Sequence, residues 1–122
     1  MKKWIKLEGR ERRHKIIRKK ISGTKEKPRL SVYRGIKNTH VQLINDLDGV
    51  TMLALSTNSP SLKDKIKKDM GNVKGAVVLA SALAEMCKTK GIDTIVFDRS
   101  GYAYHGRVKA LAETLRKGGV KF

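Results

Sequence analysis

The sequence is short of cysteine. Cys87 stands alone, so no internal disulfide can form and a reducing compartment is the expected setting. It lies in an apolar stretch with helical spacing and is expected in the core. No apolar run approaches the roughly 20 residues of a membrane-spanning helix. No apolar segment of the signal-peptide kind follows the charged N-terminus, so a cytoplasmic protein is expected. Acidic residues are scarce, 11 against 28 Lys and Arg, and the first strand, "RLSVYR", supplies none of the carboxylates that a metal-dependent nuclease requires. His14, His40, His105 and Cys87 are too scattered to form a zinc site. No metal, no cofactor and no small-molecule substrate are expected.

What the chain does have is positive charge. A formal net charge of +17 on 122 residues repels itself in a compact fold unless a polyanion neutralises it. RNA, DNA and an anionic membrane surface are the candidate partners. The length fits one modest domain.

The charge is uneven. Residues 1–27 read as a basic N-terminal arm and linker, with Arg10, Arg12, Arg13, Lys15, Arg18, Lys19 and Lys20 close together. As a helix the arm offers only Ile16, Ile17 and Ile21 as a thin apolar edge, with Trp4, Ile5 and Leu7 able to make a second small contact. Such a segment is expected to fray alone and to order on a polyanion. Ser22 to Lys27 reads as a linker, and Pro28 opens a single α/β domain over 28–122.

There the period changes. "RLSVYR" alternates, with Leu30 and Val32 on one face and Arg29, Ser31 and Tyr33 on the other. "THVQLIN", the turn "DLDG" and "VTMLALST" complete a three-stranded antiparallel meander. "NSPSLKDKIKKDMG" reads as a polar surface connection with room for one short helical turn. Asn72 caps a helix to about Lys90, closed by Gly91. Its expected buried stripe is Val73, Val77, Ala80, Ala84 and Cys87, with Leu79, Leu83 and Met86 beside it. "DTIVFD" reads as a buried strand inside the sheet, parallel to a neighbour. A last helix carries Val108, Leu111, Ala112 and Leu115 and ends at Gly118-Gly119, after which Val120 and Phe122 return to the core. The order predicts a mixed sheet in an α/β fold.

The stretch "FDRSGYAYHGR", Phe97 to Arg107, allows three readings. Its glycine spacing approaches a P-loop, but Arg107 and Val108 stand where Lys and Ser or Thr are needed. An acid–base site would need a nucleophile or second carboxylate beside Asp98 and His105, and neither is placed by a motif; Asp98 is expected to pin Arg99 or cap the loop. An RNA grip fits best. Arg99 and Arg107 suit phosphate, while Tyr102, Tyr104 and His105 can stack on bases or sugars, unless one tyrosine packs under the loop. Arg107→Ala is expected to weaken RNA binding without loss of stability, as for an exposed charge.

"PRLSVYR", "HVQLINDLDG", "ALST", "FDRSGYAYHGRVKALAE" and the closing "GGVKF" together resemble the bacterial large-subunit ribosomal protein L-eighteen family, over nearly the whole chain. The resemblance implies a ribonuclease H-like, translational-component topology without catalytic carboxylates, and no enzymatic activity. It implies binding to 5S rRNA, attachment of 5S to 23S rRNA in the central protuberance, and neighbouring large-subunit ribosomal proteins as partners. By position it implies RNA contacts from the arm (Arg10, Arg12, Arg13, Lys15, Arg18, Lys19, Lys20), from Arg29, Tyr33 and Arg34, and from Arg99, Tyr102, Tyr104, His105 and Arg107. The sequence departs from the family pattern at Gly35, Ile36, His40 and Asn45 and, in the first long helix, at Leu79, Ala80 and Met86. The alternative is a general nucleic-acid-binding or architectural protein without a fixed rRNA target.

Overall fold

The alternation of the first two apolar segments decides the sheet. In the computed structural model, which describes residues 9–122, β1 (Arg29–Arg34), β2 (Thr39–Asn45) and β3 (Val50–Ser56) form the expected antiparallel meander. Leu30 pairs with Leu43, and Val32 with Val41. All four are buried, each such side chain contributing roughly 1.5–3 kcal/mol. The contact expected of Trp4, Ile5 and Leu7 lies outside the described residues. No helix among the described residues is long and apolar enough to cross a membrane.

The last strand, β4 (Val96–Asp98), runs parallel to β1, giving the order β3-β2-β1-β4. It was expected inside the sheet and lies at its edge. The apolar residues are covered instead by the chain end: Lys121 pairs with Thr94, and Phe122 stacks on Phe97 with ring centroids 5.2 Å apart.

Helix α3 (Val73–Lys90) follows its capping signals, with Asn72 Oδ1 accepting from the Gly75 N–H at 3.1 Å and Gly91 in the left-handed region. Its buried face is rotated from the expected stripe. Ala76, Leu79, Ala80, Leu83, Ala84 and Cys87 face inward, while Val73 and Val77 are exposed. Small residues on that face let α3 approach α4 (Arg107–Lys117), whose Val108, Leu111, Ala112 and Leu115 are all buried as expected. Burial raises the Cys87 pKa above its ordinary value. The supposed polar connection contains α2 (Pro60–Ile66), followed by a 3-10 turn, and α2 buries Leu62 and Ile66. Two apolar residues at i, i+4 were enough to seat it among lysines.

The arm was expected to fray. Gly9–Arg18 instead forms helix α1. The linker is also tied down: the Gly23 N–H donates to Asp46 Oδ2 at 2.6 Å and its carbonyl accepts from the Asp46 N–H at 3.0 Å.

Candidate nucleic-acid interface

Strand alternation puts Arg29 and Ser31 on the sheet face opposite Leu30, and the parallel register sets Asp98 beside Ser31. Asp98 is fully buried. Its Oδ2 accepts from Arg29 Nη1 at 2.7 Å, and its Oδ1 accepts from the Ser100 N–H at 2.8 Å. The carboxylate thus caps the loop as expected, but it pins Arg29 rather than Arg99. Arg29 also donates from Nε to Asp46 Oδ2 at 2.9 Å. Burial alone would lower the Arg29 pKa; hydrogen bonds and charge from Asp46 and Asp98 outweigh it and leave the pKa raised. Asp46 is held below the usual carboxylate range, first by its hydrogen bond from Arg29 and against the effect of burial.

Helix α1 docks on this network. Arg10 Nη1 donates to the Ser100 carbonyl at 2.9 Å and Arg13 Nε to the Gly101 carbonyl at 2.8 Å. His14 Nε2 lies 3.2 Å from Asp98 Oδ2, and Arg18 pairs with Asp46 at 3.6 Å. Gly101 has φ +82°, and a Cβ there would collide with the Arg10 carbonyl and crowd the His14 amide. A glycine is therefore required on both counts. These donors share one helical face. Arg12 and Lys15 fall on the opposite face, at i and i+3, and with Lys19 and Lys20 just past the helix end they are exposed.

The ring of Tyr102 packs under the loop. It is buried, its hydroxyl accepts from the Arg34 N–H at 3.1 Å, and the guanidinium groups of Arg10 and Arg34 lie 4.8 and 4.9 Å from its centroid. It cannot stack on a base. Arg107 turns inward: Nη1 donates to the Gly35 carbonyl at 2.9 Å and Thr39 Oγ1 at 3.2 Å, closing the β1–β2 loop. Burial, then the charge of Arg34, lowers its pKa, and it remains a cation. The expectation that Arg107 is a free surface charge is therefore corrected: its side chain bonds inward as a clamp on the β1–β2 loop.

The expected contact residues thus divide. Arg10, Arg13, Arg18, Arg29, Tyr102 and Arg107 bond within the protein and shape the surface, Arg13 through Nε alone while its side chain stays exposed. Arg12, Lys15, Lys19, Lys20, Tyr33, Arg34, Tyr104 and His105 are exposed. Arg99, partly exposed, lines a recess of about 390 Å³ with Lys27, Tyr104 and Arg116. Lys27 and Arg116 were missed by sequence reasoning, because only the fold of the chain end brings them to that loop. Among the described residues, no group of three or more His, Cys, Asp or Glu could hold a metal.

The profile of ribosomal L18 of archaea, bacteria, mitochondria and chloroplast matches residues 4–122. Large ribosomal subunit protein uL18 of Fusobacterium nucleatum is 49% identical over 121 residues, covering 99% of this chain and 98% of its own. The protein of that name from Limosilactobacillus reuteri is 50% identical over 113 residues, 93% of this chain and 92% of its own. That of Desulforudis audaxviator is 46% identical over 122 residues, 100% and 99% respectively.

Proposed function

The chain belongs to the ribosomal L18 family and is a constituent of the large ribosomal subunit, not an enzyme; on that premise we propose that it binds 5S rRNA and helps fasten it to 23S rRNA in the central protuberance, beside neighbouring large-subunit proteins. The observation that carries this reading is the sorting of the arm's cations. One face of α1 is spent on the loop 98–101 and on Asp46, so the other presents Arg12 and Lys15 from a fixed platform, with Lys19 at the turn that follows. Preorganised cations lose less freedom on meeting phosphate than a loose tail does. Arg99 and Tyr104, with Lys27 and Arg116, form a second set able to engage another RNA segment, and His105 stands exposed next to Tyr104.

In this division of labour the arm residues 1–27 supply charge neutralisation and the domain 28–122 supplies the shape that selects 5S rRNA. Co-sedimentation of labelled 5S rRNA with 23S rRNA tests the bridge. The protein is expected to raise the 5S fraction that travels with 23S rRNA. An unchanged fraction at saturating protein would overturn the bridging role.

A further inference from the structure

The contacts of α1 fall at Asp46, Asp98, Ser100, Gly101 and, through Arg10, the ring of Tyr102, and the exposed rings of Tyr33 and His40 lie beyond them at the far end of the same face. There Tyr33 and His40 are direct cross-strand partners. Both are exposed, Tyr33 by 57%. Their ring centroids are 5.9 Å apart at an interplanar angle of 47°, so they form one tilted floor and not a slot. Gln42, two residues along β2 on the same face, is exposed and pairs with the small Ala54. A shallow hollow of about 180 Å³ runs there, lined by His40, Gln42, Ala54 and Ser56. None of the three strands carries a carboxylate, while Arg34 and Lys37 stand exposed at the loop beside the floor.

We infer that this end of the sheet is a stacking site for an unpaired RNA base, with Tyr33 and His40 as the floor and the Gln42 amide reading the base edge. The proposal rests on the RNA-binding reading above and deepens it. Uncovered aromatic rings on a carboxylate-free, cation-flanked sheet match the way splayed-out bases are held, on π-faces with polar groups at their edges. A duplex does not fit the chemistry, because its bases present no free face. The absence of acids favours a polyanion over a basic protein tail as the occupant.

The test uses the full chain with Tyr33→Ala, His40→Ala and Tyr33→Phe, all at exposed positions where folding is checked by thermal melts. Binding to 5S rRNA is measured at several salt concentrations. Tyr33→Ala is expected to weaken it by about 5- to 140-fold, the range for one stacked base, with the salt slope unchanged because no phosphate contact is lost. Tyr33→Phe should keep near-normal binding, and a fully paired RNA of similar charge should not distinguish the variants. In a Trp4→Phe, Tyr33→Trp protein, 5S rRNA should quench the tryptophan emission. If the unaltered protein prefers 5S rRNA but Tyr33→Ala binds it equally well, the stacking site is overturned and a protein neighbour becomes the better occupant. If the unaltered protein shows no preference for 5S rRNA over tRNA, both this site and the reading beneath it fall.

Discussion

Arg29 and Asp98 meet at 2.7 Å across the parallel pair of strands, and neither side chain is more than 9% exposed. The pair sits beneath α1 and at the root of the loop that carries Arg99, Tyr104 and His105, so it joins the stability of the sheet to the shape of the proposed RNA surface. Removing one member of a buried pair leaves an uncompensated charge, which destabilises by about 3–5 kcal/mol. Asp98→Ala should lower stability by that amount in urea titrations. A near-normal unfolding midpoint would show that Arg29 finds water or another partner.

Gly101 sets how closely α1 can approach. In Gly101→Ala the new methyl group would press on the Arg10 carbonyl, and the left-handed backbone would be strained. The helix should lift while the sheet and α3 stay intact. Trypsin should then cut within residues 10–20 faster than in the unaltered protein. Equal cleavage rates would mean that α1 is not held by this contact.

The docked arm changes the expected salt dependence. With Arg10, Arg13 and Arg18 bonded to the protein, replacing Arg12, Lys15, Lys19 and Lys20 with serine should reduce the log–log salt slope of RNA binding by up to roughly 2.8 to 3.6. A change near zero would place the arm away from the phosphates.

The elements whose signals are local were legible in the sequence. The meander follows from period-2 alternation around Leu30, Val41 and Leu43, and α3 from its caps at Asn72 and Gly91. The fate of Arg29 was not legible, because its partners Asp46 and Asp98 stand 17 and 69 positions away and nothing nearby marks them as such. The docking of α1 was hidden for the same reason: Arg10 and Arg13 bond to backbone carbonyls 90 and 88 positions on, and carbonyls have no sequence signature. In the candidate site, residue type identified a basic and aromatic set, but the fold decided which members face inward.

Asp46 gives the protein an acid-side dependence. Its folded pKa lies below the ordinary 3.8, chiefly through the hydrogen bond from Arg29. The unfolded chain therefore binds more protons in that range, and stability rises with pH. The contribution is complete above the unfolded pKa and is lost as pH falls through the folded one. Asp46→Asn should be less stable than the unaltered protein at pH 7, with the gap narrowing below about pH 4. A gap that stays constant from pH 7 to pH 3 would contradict the ion-pair account.

Arg107→Ala tests the clamp. Loss of a charged donor to the Gly35 carbonyl and Thr39 hydroxyl should destabilise by about 1–3 kcal/mol, measured by thermal melts with and without RNA. An unchanged melting temperature would return Arg107 to the free surface.

The most direct test of the whole account is a titration of the full-length protein against 5S rRNA and a tRNA across a series of salt concentrations. Binding to tRNA is expected to collapse first, leaving a preference for 5S rRNA at raised salt. Two affinities that fall together and vanish at the same salt would contradict it, and would leave a basic surface with no chosen RNA.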